Sequence, residues 1–588
     1  MERNFNTLPQ LFMHATGAYN LEKALMYPEG ESWRVYSTAA FRNQVKWLAL
    51  GMHDMGVQPG DSVGILAPSS PEWIIIDLAT VSLGAVSVPL FKKISIESLS
   101  HEISDSAMKY IFIGNLEELP NIKATHKHLK EQITFGKGFP SDHFDAIIKR
   151  GQELDKSQPE LFEQLQSRVG EDSLATIIYT SGSTGLPKGV ELTHGNIVSQ
   201  VHATSQRFEC FPSDIILSAL PLAHIFERMV MYFYISSGLP VYFADDPKML
   251  GTYAKTVRPT MMTVVPRIME KVYLKMQDGV IEKTGIAGAI ARAGFRRAEN
   301  RKPGTARKGL MGPVFDKLLY SKFREALGGR LRLSISGSAK LAPEIASFFV
   351  NCGIDVYEGY GLTEASPVIA VNFPGHRKIG SVGPVFPGVE VRVSEDGEVL
   401  AKGPNIMLGY HNRPDATAEV IDEDGWLHTG DLGTYEDGYL TITGRKKELF
   451  KKSTGEYVPP VPLENELVKM PGIETAVVVV DNRTFVTALL FPEFEKLPDI
   501  KKSAGMEDVS DKEFLDSHYF RSRIEEHIQE MNKHHHHCEH IADFRVLHNQ
   551  ATVEEGELTP TMKVRRFYIE KKYHDVIEDM YKISRGWK

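Results

Sequence analysis

Apolar strand-like runs alternate with helical segments along much of this chain, and this alternation constrains the fold more than any other feature. From residue 37, a helical stretch (TAAFRNQVKWLALGMHDMG) leads to the strand SVGILAP. A helix from Pro71, the strand AVSVPLF, a helix from Ser95 to Asp105 and the strand MKYIFIG follow. Strands separated by helices in this way form parallel sheets covered by helices on both faces. The pattern predicts a doubly wound α/β unit.

A second alternation of the same kind follows. DIILSAL, LPVYFA and MMTVVP are strand-like, and the helical segments between them start near Phe226 and Pro247. LRLSISG and GIDVYEG then bracket a helix from Pro343 to Asn351. The sequence therefore predicts two doubly wound subdomains, whose ligands should lie beyond the carboxyl ends of the strands.

The last third of the chain has a different pattern. Short strands with turn signals, in VEVRVSEDGEVLAKG and GYLTITG, predict a small β-rich subdomain. A charged stretch, GRKKELFKKSTGE, and a segment of mixed strands and helices follow. A chain of 588 residues exceeds the size of one hydrophobic core. We predict a large N-terminal domain over residues 1–445, made of the two α/β subdomains and the β-rich subdomain, and a small mobile α+β C-terminal domain over 446–588.

Composition narrows the class of protein. A hydrophobic fraction of 42% and a charged fraction of 24% are typical of soluble globular proteins, and a net charge of -9 argues against a nucleic-acid partner. Cys210, Cys352 and Cys538 are few, odd in number and far apart, which predicts a cytoplasmic protein without disulfides. The N-terminus lacks a signal-peptide layout. Residues 73–91 are the best candidate for a membrane span, but they contain Asp77 and divide into a helix and a strand, which predicts core elements.

Two segments have a biased composition. Residues 283–308 hold eight Lys/Arg and one acidic residue, Glu299. This segment is either a solvated helical face or an electropositive patch for a membrane surface or an anionic ligand. The run HHHHCEH at 534–540 could bind a metal, but no second ligand cluster accompanies it, so metal binding is disfavoured.

The stretch YTSGSTGLPKGVELTH, residues 179–194, follows an apolar strand and combines five Ser/Thr side chains with glycines and Lys188. Glycines let backbone N–H groups approach anionic oxygens, hydroxyls donate hydrogen bonds, and the lysine neutralises charge. The stretch is longer than a connecting turn requires. It predicts polyphosphate binding, but not a standard P-loop, because Lys188 is followed by glycine instead of Ser or Thr.

Four further motifs accompany this loop: GSAKL (337–341), YEGYGLTEASP (357–367), DGWLHTGDLG (424–433) and GRKKELFKKSTGEYVPP (444–460). In this order and spacing they resemble the AMP-forming acyl-CoA synthetases of the adenylate-forming superfamily. PLAHIFER (221–228) and LTPTMKVRR (558–566) resemble the long-chain fatty acyl branch. The resemblance covers essentially the whole chain.

The resemblance implies ligation of a long-chain fatty acid to coenzyme A through an acyl adenylate, with ATP, Mg²⁺ and coenzyme A as cofactors or cosubstrates. Lys563 would bridge the acyl carboxylate and the α-phosphate, and Thr363 would contact the α-phosphate. His224 would lie between the nucleotide site and the acyl tunnel. Gly455 would face the pantetheine channel, and Lys447 would be the hinge about which the C-terminal domain rotates.

The resemblance also assigns the nucleotide site. It implies that the β- and γ-phosphates are bound by Thr180, Ser181, Gly182, Ser183, Thr184, Gly185 and Lys188. It implies a nucleoside site formed by Gly337, Ser338, Ala339, Glu358, Gly359, Tyr360, Gly361, Asp431 and Arg445. In that site Tyr360 would stack on adenine and Asp431 would accept from both ribose hydroxyls. Thr184 and Glu364 would serve Mg²⁺. Taken singly, such residues also occur as core or turn residues.

Other functions remain open at this point. A fatty acyl-AMP ligase would deliver the acyl group to a carrier-protein thiol, but such relatives carry an insertion near the hinge that is not obvious here. A luciferase-type oxidative use of the adenylate is not favoured by any motif, and a regulatory protein without catalysis would not need to keep Lys563 and Glu364. The chain departs from the long-chain pattern at Pro459-Pro460-Val461, where Ala-Pro-Glu is usual. Preferred chain length and oligomeric state are not readable from the sequence.

Overall fold

The computed structural model describes residues 4–92, 94–114, 116–118, 120–122, 129–136, 142–180, 186–446, 450–454, 456–559 and 564–583. The strands among these residues are β1 (Leu25–Glu29), β2 (Ser32–Tyr36), β3 (Ser62–Leu66), β4 (Val86–Pro89), β5 (Tyr110–Ile113), β6 (Glu131–Thr134), β7 (Leu174–Thr180), β8 (Lys188–Thr193), β9 (Ile216–Ser218), β10 (Val241–Phe243), β11 (Met261–Val264), β12 (Leu333–Ser336), β13 (Val356–Gly361), β14 (Val368–Val371), β15 (Glu390–Val393), β16 (Glu398–Lys402), β17 (Gly409–Tyr410), β18 (Leu427–Glu436), β19 (Tyr439–Arg445), β20 (Phe450–Lys451), β21 (Tyr457–Val458), β22 (Ile473–Val479), β23 (Val486–Pro492) and β24 (Ile541–Val546).

The α-helices among the same residues are α1 (Leu8–Ala18), α2 (Thr38–Asp54), α3 (Pro71–Ser82), α4 (Ile96–Asp105), α5 (Asp142–Ser157), α6 (Leu161–Gln166), α7 (His194–Arg207), α8 (Ile225–Ser236), α9 (Leu250–Val257), α10 (Pro266–Ile281), α11 (Gly285–Asn300), α12 (Gly312–Phe315), α13 (Ser321–Ala326), α14 (Pro343–Cys352), α15 (Pro414–Ala418), α16 (Pro460–Leu467), α17 (Leu497–Ser503), α18 (Asp511–Leu515), α19 (His518–Asn532), α20 (Arg566–Lys572) and α21 (His574–Ile583). None of them is long and apolar enough to cross a membrane.

Two large mixed sheets carry the candidate site. The first has the strand order β17-β8-β7-β4-β3-β5-β6, and the second has the order β14-β13-β12-β11-β9-β10-β1-β2. The inner strands of each sheet pair in parallel, as β3 does with β4 and β5, and as β12 does with β11 and β13. The predicted α/β class with two helix-covered sheets is confirmed.

The edges of both sheets differ from the purely parallel arrangement that the alternation predicts. β7 pairs antiparallel with β8, β13 with β14, and β1 with β2. The prediction of a long loop over residues 179–194 was also wrong in its extent. Tyr179 and Thr180 end β7, and β8 begins at Lys188, so these hydroxyl-bearing residues form the ends of a hairpin. Residues 181–185 lie outside the described part of the chain.

The helices form where the sequence supplies both a cap and an apolar face. In α3, the Ser70 side chain accepts a hydrogen bond from the Trp73 backbone N–H, and Pro71 occupies the first turn, where its missing N–H costs little. The helix is buried all round because it is packed inside the α/β layers. The segment considered as a membrane span is therefore α3 followed by β4, as predicted.

A third sheet, ordered β15-β16-β18-β19, forms the predicted β-rich subdomain, and a fourth, β22-β23-β24, lies in the C-terminal part. Buried apolar side chains form five clusters, and each cluster lies entirely before or entirely after one point in the chain. Three clusters draw on residues no later than Ile442, whereas two others draw on residues from Phe450 onward. Each part thus has its own hydrophobic core.

Candidate functional site

The carboxyl ends of β12 and β13 lie side by side and place two of the motifs next to each other. Ser336 is paired with Glu358 in the parallel register of these strands. The residues after β12, Gly337 to Ala339, therefore adjoin Gly359 to Gly361 at the end of β13. This is the edge of a parallel sheet at which α/β proteins bind ligands.

Gly337 forms a close contact that only a residue without a side chain permits comfortably. A Cβ built on Gly337 would lie 3.1 Å from Cε1 of Phe226, at the start of α8. The next residue, Ser338, has φ +70°, a left-handed conformation that costs energy for a residue with a side chain. Phe226 and the backbone of this turn therefore form one wall, and His224 lies two residues before Phe226, where its Nδ1 accepts from the Phe226 N–H at 3.2 Å.

A three-residue polar cluster lies at the end of β13. The Tyr360 hydroxyl donates to Oδ2 of Asp431 at 2.7 Å, and Nε of Arg445 lies 2.9 Å from Oδ1 of the same carboxylate. Asp431 on β18 and Arg445 on β19 are cross-strand partners, which fixes this pair. Burial, and then the Asp431 carboxylate, raise the pKa of Tyr360 well above its ordinary value, so the hydroxyl remains a donor.

A second polar cluster is formed around Glu364, four residues after Tyr360. Glu364, in the turn Thr363–Ala365, accepts a hydrogen bond at Oε1 from the Tyr410 hydroxyl at 2.8 Å. Nζ of Lys188 lies 4.9 Å from the centroid of the Tyr410 ring, within the range of a cation–π contact. Burial first, and then Glu364, raise the pKa of Tyr410 well above its ordinary value. A carboxylate, a hydroxyl donor and an ammonium group are thus assembled from three distant segments.

Tyr410 was not among the residues predicted from the sequence. It reaches Glu364 because β17 pairs antiparallel with β8, with Tyr410 opposite Val190. A two-residue strand of this kind gives no periodic signal, so the contact could not be found from the sequence alone.

Other predicted residues occupy supporting positions. Glu358 accepts from the Leu341 N–H at 3.3 Å, and burial raises its pKa to about 7. A Cβ on Gly361 would lie 1.8 Å from the Pro367 carbonyl oxygen, so this position cannot hold a larger residue without a shift. The Thr180 hydroxyl donates to the Lys188 carbonyl oxygen at 3.4 Å, across the hairpin.

Several predicted site residues lie outside the described residues: Ser181, Gly182, Ser183, Thr184, Gly185, Lys447, Gly455 and Lys563. Their roles stay predictions. Metal binding at 534–540 was disfavoured from the sequence, and among the described residues no group of three or more His, Cys, Asp or Glu side chains is arranged to hold a metal ion. His535 instead lies between two carboxylates, 3.1 Å from Glu466 and 3.4 Å from Glu539.

An aromatic ring, two carboxylates and cationic side chains meet at the edge of an α/β sheet where ligands such as nucleotides bind. Residues 14–411 match the family described as AMP-binding enzyme, and residues 448–585 match the AMP-binding enzyme C-terminal domain. The chain therefore belongs to the AMP-binding enzyme family, and the resemblance found in its motifs is confirmed.

Relatives agree with this assignment, and solved structures agree with the fold. The chain is 34% identical to the long-chain-fatty-acid–CoA ligase FadD15 of Mycobacterium tuberculosis, over 93% of this chain and 92% of that protein. It is 31% identical to the peroxisomal long chain acyl-CoA synthetase 7 of Arabidopsis thaliana, over 98% and 86%. The fold is similar to the adenylation domain of a carboxylate reductase from Mycobacterium chelonae, with a TM-score of 0.76 at 22% identity, covering 99% of this chain and 92% of that one.

Proposed function

We propose that the protein is an AMP-forming long-chain fatty acid–CoA ligase. The fatty acid carboxylate attacks the α-phosphorus of ATP and releases pyrophosphate, and the thiol of coenzyme A then takes the acyl group and releases AMP. ATP, coenzyme A and a long-chain fatty acid are the substrates, and Mg²⁺ is the cofactor. The support is the family of the chain and the names of relatives 29–34% identical to it.

The observation that carries this proposal is the placement of both polar clusters on one short segment. Tyr360 holds Asp431 at one end of the segment, and Glu364 contacts Tyr410 at the other. An extended nucleoside triphosphate carries its ribose diol next to the base, on one side, and its chain of phosphates on the other. The segment thus brings the buried carboxylate of Asp431 to one end and the half-buried carboxylate of Glu364 to the other, which suits both groups at once.

Asp431 is proposed to bind the ribose. A carboxylate accepts several hydrogen bonds, so it can serve two vicinal hydroxyls while Arg445 contacts one of its oxygens. Tyr360 is proposed to offer its ring to adenine, against the wall of Gly337, Ser338 and Ala339. The hydrogen bond from Tyr360 to Asp431 fixes the ring orientation before the nucleotide binds.

Glu364 fits a magnesium ion. Mg²⁺ prefers oxygen ligands and commonly binds through one or two carboxylates together with substrate phosphates. Glu364 provides such a carboxylate, and the Tyr410 hydroxyl orients one of its oxygens. When bound, the ion neutralises phosphate charge. Lys188 and the residues Ser181 to Gly185 are proposed to hold the β- and γ-phosphates, with Thr184 also at the metal and Thr363 at the α-phosphate.

The second half-reaction requires the C-terminal domain. We propose two domains divided after Arg445, a division supported by the separate hydrophobic cores on either side of it. Lys563 is proposed to neutralise the two anions during adenylation, and rotation about Lys447 then to bring the segment of Gly455 to the thiol.

Location is part of the proposal. Cys210, Cys352 and Cys538 form no disulfide in the described part of the chain, as is usual in a reducing cytoplasm. Peripheral contact with a membrane is proposed for the basic segment 283–308, since a long-chain fatty acid partitions into lipid.

The test is a pyrophosphate-release assay with a panel of carboxylic acids, run with and without coenzyme A. Release should be greatest with long-chain acids, and turnover should require coenzyme A. Lys563→Ala should slow adenylation by about 100-fold or more, whereas Lys571→Ala, a lysine on α20, should not. Release from short acids alone, or turnover that ignores coenzyme A, would refute the proposal.

A further inference from the structure

Exposed apolar side chains are concentrated in one stretch of the chain. Among the described residues, seven of the seventeen large apolar side chains that are exposed lie between positions 274 and 318. Four of these form what we term the apolar ridge: Leu310 (99% exposed), Met311 (51%), Val314 (40%) and Leu318 (46%). Met311 caps α12, Val314 lies within it, and Leu318 lies in the π-helical turn Asp316–Tyr320 that continues it, so the exposed side chains of the ridge follow one short helical segment.

The ridge is held rigidly from beneath. The opposite face of the same segment buries Phe315, Leu319 and Tyr320. A Cβ on Gly294 of α11 would lie 2.8 Å from Cδ1 of Phe315, and the Tyr320 hydroxyl donates to the Gly294 carbonyl at 2.8 Å. The segment is therefore packed closely onto α11, and its outward apolar face is a fixed feature of the fold instead of a loose loop.

Basic side chains surround the ridge. Residues 301–323 contain six lysines and arginines and one acidic residue, Asp316, which pairs with Arg324 at 2.7 Å. Lys308, Lys317 and Lys322 are exposed. Long cationic side chains beside apolar ones suit a membrane interface, where the apolar groups enter the acyl boundary and the charges meet anionic headgroups.

We infer that the apolar ridge and its lysines dock the protein onto an anionic lipid surface. A protein partner fits less well, because cores of protein interfaces are poor in lysine and rich in aromatic residues, and the ridge has no aromatic side chain. This inference assigns residues to the proposed membrane contact. It rests on the proposed function in one respect only: the docked ligase would draw its long-chain acid from lipid.

The experiment measures co-sedimentation of the full chain with vesicles of phosphatidylcholine and phosphatidylglycerol in equal parts, and with vesicles of phosphatidylcholine alone. The wild type should bind the anionic vesicles, and less so at high salt. The pair Leu310→Gln and Leu318→Gln should reduce binding by about tenfold. The pair Lys317→Gln and Lys322→Gln should do the same through loss of charge.

Matched controls separate this effect from general changes of surface. Ile96→Gln removes an exposed apolar side chain elsewhere, and Lys149→Gln with Arg150→Gln removes the same charge from α5; both should bind as the wild type does. Melting temperatures and pyrophosphate release with a water-soluble acid should be unchanged in every variant, so loss of docking and loss of the ligase activity are distinguishable.

Three results would overturn the inference. The ridge and lysine variants could bind vesicles as well as the wild type does. Binding could be equal on both vesicle types, which would remove the role of charge. Or the wild type could ignore vesicles while light scattering shows self-association that the Leu310→Gln and Leu318→Gln pair abolishes, which would assign the ridge to a second copy of the chain.

Discussion

The contacts of Asp431 suit the role proposed for this residue, which is to bind the ribose diol. The Asp431 side chain is almost fully buried. Its Oδ2 accepts a hydrogen bond from the Tyr360 hydroxyl, and its Oδ1 contacts Nε of Arg445. Each carboxylate oxygen has room for a further donor, since an ionised carboxyl group accepts about four hydrogen bonds. Two ribose hydroxyls can therefore bind without displacing the groups that orient Asp431.

Asp431→Asn should weaken binding of AMP by about 10- to 100-fold, because a charged hydrogen-bond acceptor becomes a neutral amide and Arg445 loses its partner. Titration calorimetry with AMP measures this directly. Asp437→Asn makes the same change in the exposed turn between β18 and β19 and should leave the affinity unchanged. If Asp431→Asn binds AMP as tightly as the wild type does, the Asp431 carboxylate does not contact the nucleotide.

Glu364→Gln should raise the magnesium concentration needed for half-maximal adenylation, because it removes a charged oxygen ligand from a hard cation. Tyr410→Phe should shift the same titration less, since it removes only the hydroxyl that orients Glu364. A magnesium titration in which Glu364→Gln behaves as the wild type, or in which Tyr410→Phe has the larger effect, would contradict the metal role.

At the level of single residues, the sequence predicts those that belong to ordered motifs and misses those that pairing brings in. Tyr360, Asp431 and Arg445 come from three motifs, and the structure joins them. Tyr410 belongs to no motif, and its contact with Glu364 depends on strand pairing between segments far apart in the chain. Local sequence carries no information on such pairing.

At the level of elements, the sequence predicts what apolar periodicity determines. The helices and strands from α2 to β5, and α8 and α14, fall where the pattern places them. The pattern does not predict the hairpin of β1 and β2, which joins the second sheet because Leu25 pairs with Val241. Which edge a strand joins depends on surfaces that exist only after the layers assemble.

One buried carboxyl on α8 has a consequence for stability. Glu227 has no exposed surface and accepts hydrogen bonds from Ser218, at 2.5 Å, and from Thr263. Burial raises the pKa of Glu227 from 4.5 to about 7, opposed by these hydrogen bonds. Between pH 4.5 and pH 7 the unfolded chain therefore releases this proton before the folded chain does. Stability falls as pH rises through that window and stays lower above it.

Glu227→Gln removes the ionisation and should stabilise the N-terminal domain relative to the wild type at pH 8, with little difference at pH 5. The difference between the two pH values should be about 1–3 kcal/mol. Denaturant unfolding at both pH values measures it, with Glu325→Gln, an exposed acid, as the control. A stability difference that does not change with pH would show that Glu227 keeps an ordinary pKa.

The sequence Pro459-Pro460-Val461, which differs from the usual Ala-Pro-Glu, is compatible with the helix that begins there. Helix α16 begins at Pro460, in the first turn, where proline is favourable, and Val461 is partly exposed to solvent. The glutamate that is usual in long-chain relatives is therefore not needed to start this helix.

At the scale of the whole molecule, the separate hydrophobic cores are the feature that would permit the proposed alternation between two half-reactions. The clusters that end at Ile442 and those that begin at Phe450 share no residue. A rotation about the intervening segment would leave both cores intact. Lys447 lies in that segment, outside the described residues, and its role rests on the motif GRKKELFKKSTGE.

Lys447→Pro fixes φ at a position that must change its backbone angles if the C-terminal domain rotates. The variant should be held near the adenylation state, which is the state that binds ATP. Acyl-AMP should therefore still form in a single turnover, while transfer of the acyl group to coenzyme A slows by a large factor. Rapid-quench measurement of acyl-AMP and acyl-CoA separates the two steps. Lys447→Ala removes the same side chain without fixing φ and should slow transfer far less.

Thermal unfolding must accompany these measurements, because proline can also destabilise a turn. A variant that melts like the wild type and loses only the transfer step would place the pivot at Lys447, since a local loss of stability affects both steps. If a well-folded Lys447→Pro slows both half-reactions equally, or neither, the pivot lies elsewhere. The division after Arg445 would then mark the edge of a core without marking the axis of the motion.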